Sequence, residues 1–350
     1  MAAEPANSRA IEQIGRFGSK RMLVIGDLML DEFIWGRVSR ISPEAPVPVV
    51  NVTAETYYPG GAANVARNLR EFTAETAVMG VTGTDAAGER LVDLLTVAGI
   101  DTAGVLRSAD AGTTVKTRVI ARNQQVVRVD RERRSAMTEE QVEQAMAYLA
   151  GTLPECDGIV VADYGKGFLC QALADEICRL AHRHGKILTV DPHPYTALAW
   201  RRATAIKPNR LETFTAAGLP VTEPEEPVCR DRALLAAARR LLELWEPQSL
   251  LVTLGEQGML LFHGDGEPLH LPAQAREVFD VSGAGDTAIA VFTLALVSGG
   301  TAPEAAYLAN CASGIVVGKV GTATMTAEEL MGACGRAPNS PPGKPVKNRP

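Results

Sequence analysis

The chain has 350 residues, 46% of them hydrophobic and 22% charged, which sets it among globular proteins and away from disordered, collagen-like or fibrous compositions. That length exceeds the usual single domain, so one large α/β domain with an appendage, or two domains, is expected. The longest apolar run, Ile289 to Val297, has nine residues, too few to span a bilayer. The net charge of −6, from 35 Lys and Arg against 41 Asp and Glu, is the opposite of a nucleic-acid binder's basic footprint. Neither a membrane nor a nucleic acid is therefore expected as a partner.

The N-terminal segment, about 1–19, is an extension with acidic and polar residues where a signal peptide needs an apolar stretch, so a cytoplasmic protein is expected. From Met22 onward, short β-type runs at 22–27, 77–81, 158–163, 186–191, 203–207 and 249–254 alternate with longer amphipathic stretches at 63–72, 88–99, 139–151, 170–185 and 229–245. Such alternation predicts βα units around a mainly parallel sheet. Two segments break it: 47–58 and 113–130 alternate polar and apolar residues with period two and have no helix of their own. They predict a small separate antiparallel sheet, the second segment turning near Asn123 and Gln124 to form a hairpin that covers a cleft or offers a dimer surface. Edge strands of the main sheet are the alternative. The proline-rich end, 337–350, predicts a disordered tail. The six cysteines, at 156, 170, 178, 229, 311 and 334, form no CxxC pair, so neither a disulfide scaffold nor a zinc knuckle is indicated.

The most informative segment is DVSGAGDT, 280–287. Gly283, Ala284 and Gly285 can form a tight turn opening directly into an apolar helix, so that free N–H groups and the positive helix end face one point and make an anion site. Asp286, one residue further, can face the same point and accept a proton from an attacking hydroxyl. Together they suggest phosphoryl transfer; a plain capping aspartate is the alternative. Gly60 and Gly61 precede a helix carrying Asn64, where the backbone can approach a polar ligand and the amide can bond a sugar hydroxyl. An unliganded loop–helix junction would look similar. Asp27 and Asp31 follow the first strand, where open α/β sheets bind ligands, with helix capping as the rival reading. GTDAAGER, 83–90, has P-loop glycine spacing but Glu89 and Arg90 where Lys and Ser or Thr should stand, and no GxGxxG follows the first strand, so any ATP is held without a P-loop. The HRH run at 182–184 ends a helix with no third ligand nearby and is read as a solvated helix end, not a metal site. Basic residues gather on the hairpin: Lys116, Arg118, Arg122 and Arg128, then Arg131, Arg133 and Arg134. They suit either phosphate recognition or a solvated strand face.

The glycine pair with Asn64, followed by KPNRLE at 207–212, VTLGEQG at 252–258 and then DVSGAGDT, resembles the ordered motifs of the ribokinase-like (PfkB) sugar kinases over about 20–330. The resemblance implies a three-layer α/β/α core, about 20–336, with a small antiparallel β lid inserted at about 34–58 and 110–131. It also implies ATP and Mg²⁺ as cofactors and a homodimer built through the lid. Within the family, GDLMLDEFIWGRVSRISPEAPVPVV, PGGAANVARNL, RVIARNQQVVRVDRE and ADYGKG are similar to segments of the kinases that phosphorylate D-glycero-β-D-manno-heptose 7-phosphate at C1. In many bacteria that kinase is fused to a nucleotidyltransferase; the end at Pro350 without an HxGH-type motif leads to the expectation of a stand-alone kinase with a sugar-phosphate substrate.

Carried over by motif, the resemblance implies that Asp286 is the general base and that Gly283, Ala284 and Gly285 form the anion hole. Asp27, Asp31, Gly60, Gly61 and Asn64 would hold the sugar, and Arg118, Arg122 and Arg128 its phosphate, with Lys166 and Lys186 in the cleft. Lys207 and Asn209 would meet the nucleotide phosphates, and Glu212 would organise Mg²⁺ through water. Thr253, Gly255 and Gly258 would border the nucleotide, with Asn310 and Ser313 near its adenine. Val281 and Ser282 depart from the commoner pattern, in which Thr often stands, without disturbing the turn. A fructokinase or 1-phosphofructokinase type, or a non-catalytic sensor, is the other reading.

Overall fold

Short apolar runs separated by amphipathic stretches bury both faces only when helices cover a parallel sheet. The computed structural model, which describes residues 3–334 except 123, 134, 265, 275–277, 279 and 320, has that form. The chain begins with α1 (Ala3–Gly15), β1 (Arg21–Gly26), β2 (Leu28–Ile41), β3 (Pro48–Gly61), α2 (Ala62–Arg70), β4 (Glu75–Gly83), α3 (Ala86–Val97) and β5 (Asp101–Ser108). It continues through β6 (Thr114–Ala121), β7 (Gln124–Arg131), α4 (Glu139–Thr152), β8 (Gly158–Ala162), α5 (Gln171–Arg183), β9 (Ile187–Asp191), β10 (Ala205–Ile206) and α6 (Arg210–Ala216). The remainder is α7 (Arg232–Trp245), β11 (Ser249–Thr253), β12 (Met259–His263), β13 (Leu269–Leu271), α8 (Ala284–Val297), α9 (Ala302–Val316) and α10 (Ala327–Cys334). The expected tail at 337–350, and Asn123 and Arg134 of the hairpin region, lie outside the described residues.

Nine strands form one sheet in the order β13-β12-β11-β10-β9-β8-β1-β4-β5, parallel from β11 to β5 and antiparallel at β12 and β13. Successive residues of a strand point to opposite faces, and two cores result. Val24, Val160 and Leu251 face α2, α8 and α9, whereas Leu23, Val161 and Leu250 face α4, α5 and α7. Helix α8 is buried without a break from Asp286 to Ala295, because it lies between the sheet and the helices α2 and α9. That is why it shows no polar stripe, and why any charge at its start is carried into the interior. Among the described residues no helix is long and apolar enough to cross a membrane.

A second sheet, ordered β3-β2-β6-β7, consists of two antiparallel hairpins joined by the parallel pair β2–β6. Its strands occupy 28–61 and 114–131, starting six residues earlier than the lid expected from the sequence. The cause is local: Leu28, Met29 and Leu30 are all buried, so the start of β2 lacks the alternation that marks a half-exposed strand. Strands β5 and β13 also go unannounced, the one half exposed and the other short at the two sheet edges, as does β12 between β11 and β13. The register sets Asp31 opposite Tyr58 and Lys116, and Phe33 opposite Arg118, which in turn faces Arg128. These side chains therefore share one face, the one turned toward α2, where the Arg67 guanidinium lies 5.4 Å from the Tyr58 ring centre.

The last residue of β1 lies where that strand passes β8, and a Cβ on Gly26 would run into the carbonyl oxygen of Ala162 and crowd Ala62 at 3.1 Å. Gly26→Ala is expected to destabilise the fold by about 1–3 kcal/mol, the usual cost of overpacking. Urea unfolding measures it; an unchanged midpoint would contradict the close approach.

Candidate active site

Parallel strands deliver their C-terminal ends to one edge of a sheet, and there open α/β sheets form their ligand crevice. On this edge a cavity of about 770 Å³ is lined by the ends of β8 to β11 and the start of α8, with Asp191, Lys207, Glu212, Thr253 and Asp286 on its wall. Gly283 caps α8 in the left-handed region, at φ +80°. It turns the chain so that the N–H groups of Gly285 and Asp286, which have no acceptor one turn earlier, lie with the helix's positive end at the cavity wall; the expected third donor, Ala284 N–H, is instead taken by Val281 O at 3.3 Å.

Asp286 stands on that first turn and is 9% exposed. One carboxylate oxygen, Oδ2, accepts from Asn64 Nδ2 at 2.6 Å, and Oδ1 accepts from the Tyr164 hydroxyl. Burial pushes its pKa up to about 6, against the pull of those two bonds; Asp191 adds to the rise and Lys207 opposes it. The group is thus a carboxylate poised near neutrality, the range suited to a base. Asn64, 1% exposed, sits on the first turn of α2 just after Gly60 and Gly61, and its Oδ1 is buried without a hydrogen-bond partner.

Behind the helix start, Lys207 Nζ lies 3.0 Å from Asp191 Oδ2 and 3.6 Å from where a Cβ on Gly285 would be. Burial works against its charge, but Asp191 and then Glu212 hold its pKa above the ordinary value. Asn209 and Glu212 form a reciprocal cap on α6: Asn209 Oδ1 accepts from the Glu212 N–H at 2.9 Å, and Glu212 Oε2 accepts from the Asn209 N–H at 2.7 Å. Burial, then the nearby Asp191 charge, pushes Glu212 up to about 7. Three carboxyl groups around one lysine make a locus that welcomes a cation. Thr253, Gly255, Gly258, Asn310 and Ser313 line the far part of the cavity, Asn310 Nδ2 donating to Pro272 O at 2.7 Å and the Ser313 hydroxyl to Ala284 O at 3.4 Å.

The lid side is a second polar cluster. Asp31 Oδ1 is 2.5 Å from the Arg118 guanidinium, which also lies 5.2 Å from the Phe33 ring centre. Glu132 Oε1 bridges Lys166 Nζ at 2.7 Å and Lys116 Nζ at 3.3 Å. Glu132, Tyr164 and Asp191 are not among the expected site residues, and Lys116 is expected only as a member of the basic hairpin patch. Their sequence signals are an acid one residue beyond a strand, a tyrosine two positions past one, an acid that ends one and a basic strand residue. None of these signals is specific without the sheet order.

Several expected site residues lie elsewhere. Asp27, expected to hold the sugar, is 2% exposed and has its carboxylate engaged: it accepts from the N–H groups of Tyr164 (2.9 Å), Lys166 (3.0 Å) and Phe168 (3.2 Å) and ties the end of β1 to the 164–168 loop. Lys186 precedes β9 at its N-terminal end, so the length of that strand separates it from Asp191 and the cavity. Arg122, at φ 50°, turns the β6–β7 hairpin at the outer tip of the lid, beside Arg40 and Ile41. Arg128 is half exposed and engaged with Asp130 on its own strand at 2.9 Å. Of the three hairpin arginines, Arg118 is the one held by Asp31, at the start of β2.

Residues 19–329 match the family model described as pfkB family carbohydrate kinase. The chain belongs to that family. It is a sugar kinase, a phosphotransferase of the type that uses ATP with Mg²⁺. Similar relatives are the bifunctional protein HldE of Desulfatibacillum aliphaticivorans, 46% identical over 91% of this chain, and that of Paramagnetospirillum magneticum, 44% identical over 94%. The chain spans 63% and 66% of those relatives, less than two thirds of each. Among solved structures, Arabidopsis thaliana ribokinase complexed with ribose and ATP aligns with a TM-score of 0.68 at 16% identity, covering 91% of this chain and all of that one. Escherichia coli phosphofructokinase-2 with substrates and products aligns at 0.71 and 19% identity, covering 90% and 98%. These likenesses establish the ribokinase-like fold.

The cavity fits the cofactor. Lys207 and the N–H groups at the start of α8 suit nucleotide phosphates. The crowded carboxyls near Glu212 suit Mg²⁺, and among the described residues no three acidic, His or Cys side chains form a metal cluster. Gly283→Ala would force a Cβ to 2.9 Å from Asn64 Nδ2 at a positive φ. It is expected to cost about 1–3 kcal/mol and to disturb the Asn64–Asp286 bond; thermal unfolding that matches the wild type would contradict this.

Proposed function

We propose that the chain transfers the terminal phosphoryl group of ATP to the C1 hydroxyl of D-glycero-β-D-manno-heptose 7-phosphate, with Asp286 as general base. The observation that carries this reading is that Asp286 adjoins two anion-accepting regions. It shares the cavity wall with the start of α8 and Lys207, and it accepts from Tyr164, two residues before Lys166, whose ammonium with that of Lys116 holds one oxygen of Glu132. A glutamate oxygen shared by two ammonium groups marks a point where an anion is favoured, and a phosphate can take the place of Glu132 there. A sugar with phosphate at one end and a reacting hydroxyl at the other suits that pair of regions. The motifs of the lid and of the ADYGKG loop, and relatives named HldE, support the heptose phosphate as the sugar and hence a place on the route to ADP-heptose for lipopolysaccharide.

In this reading Asn64 offers its buried, unpartnered Oδ1 to a sugar hydroxyl, and Asp31, beside Gly60 and Gly61, accepts from others. Asp286 takes the C1 proton as the oxygen attacks. ATP with Mg²⁺ supplies the phosphoryl group and neutralises charge on it. The N–H groups at 285 and 286 and Lys207 steady the charge that develops, Glu212 faces the metal through water, and the lid excludes bulk water. Positioning and electrostatics then do most of the catalysis. The outer lid face exposes Val127 and Val129, each at 47%, next to Val119 and Ile34 in register. A homodimer through this face covers them. An ATP-dependent step of this kind belongs in the cytoplasm.

Phosphorus NMR after mixing the protein with Mg-ATP and a panel of sugars and sugar phosphates is expected to show a 1,7-bisphosphate from the heptose 7-phosphate. Asp286→Asn is expected to fold and to lose roughly 10²–10⁴-fold in kcat. Lys116→Ala with Lys166→Ala is expected to raise KM for the sugar phosphate about tenfold or more, the loss of a charged contact, and to leave KM for ATP unchanged. Faster turnover of an unphosphorylated sugar, or an active Asp286→Asn, would overturn the proposal.

A further inference from the structure

The Asp286 carboxylate is gripped from two directions by side chains of other elements. Asn64 holds Oδ2 from α2, and the Tyr164 hydroxyl holds Oδ1 from the loop after β8. We propose that Tyr164 is a positioning residue for phosphoryl transfer. Its phenol O–H fixes the Asp286 carboxylate so that unshared lone pairs point into the cavity, and Asp27 fixes Tyr164. The inference rests on the reading of Asp286 as the base.

The chain of contacts runs through the backbone. Asp27 accepts three N–H groups, those of Tyr164, Lys166 and Phe168, so the loop 164–168 is tied to the end of β1, itself central in the sheet. A loop held at three points delivers one side chain to a fixed place, which a free loop would not. The Tyr164 ring packs against the same core as α2 and α8, and a phenylalanine would serve that packing equally. The hydroxyl adds the bond to Asp286. Burial, then the charges of Asp286 and Asp191, pushes the phenol pKa far up, with Asp31 acting the same way. The phenol therefore keeps its proton and acts as a donor, never as a competing base.

The charges facing Asp286 are Asp191 at the end of β9, which disfavours its ionisation, and Lys207 beyond β10, which favours it. Glu212 on α6 faces Lys207. With those unchanged, the Tyr164 bond acts in one direction: it stabilises the ionised carboxylate. Removing it raises the Asp286 pKa further above its ordinary value, so the base stays protonated to higher pH.

Tyr164→Phe tests this. Its melting temperature and KM for ATP are expected to match the wild type, while kcat falls about tenfold and the acid limb of kcat/KM, wherever it stands in the wild type, moves up by roughly one pH unit, the worth of one charge-assisted hydrogen bond. Incorporation of 3-fluorotyrosine at 164, a stronger donor of the same shape, is expected to move the limb the other way. A merely structural tyrosine would leave the limb in place in both proteins, and that result overturns the proposal. Asp286→Asn separates the two readings. If it is active, the base assignment itself fails; if it is inactive while Tyr164→Phe keeps the wild-type limb and kcat, only the role of Tyr164 fails.

Discussion

A carboxylate at the start of a helix buried on every side must either lose its charge or be met by donors brought from elsewhere. Asp286 is that carboxylate, and much of the surrounding architecture answers it. Helix α2 brings Asn64, the loop after β8 brings Tyr164, and the end of β10 leads to Lys207. These elements are far apart in sequence and meet only because neighbouring parallel strands end on one edge. The balance leaves Asp286 with a pKa of about 6, low enough for ionisation at neutral pH and high enough to take a proton. A fully solvated aspartate would be the weaker base.

The same economy of placement explains the lid. A chain with net charge −6 that is to meet an anionic ligand needs local cations, and it sets them in two places. Lys207 lines the cavity, and Lys116 and Arg118 stand on the small sheet, with Lys166 joined to Lys116 through Glu132. Each is paired with a carboxylate, Asp191, Glu132 or Asp31. These pairs are largely buried, with 5% of Lys207 and 13% of Arg118 exposed, so each cation is held in place and ready to meet an anion.

Period-two and helical patterning were enough to read the parallel core, because strands such as Met22 to Gly26 and helices such as α7 each show their burial locally. The turn at 283–285 and Asp286 were legible for a related reason: glycines opening an apolar helix have few other uses. What the sequence hid depends on which strand ends become neighbours. Asp27 reads as a ligand group until the 164–168 loop is seen to take its carboxylate, and Lys186 reads as a cleft residue until β9 is given a direction. Tyr164 carries no signal of its own, because its partner stands 122 residues away. The start of the lid's first strand escaped because Leu28, Met29 and Leu30 are buried in succession.

The central claim is that Asp286 is an ionisable carboxylate held near neutrality by burial and two donated hydrogen bonds. Carbon-13 NMR titration of the aspartate carboxyl groups, with Asp286→Asn used to assign the signal, measures it directly in the intact protein. A midpoint near 6 is the expected result. A midpoint near the ordinary aspartate value of about 3.9 would contradict the account, since it would mean that the group is solvated and the site is not built around it.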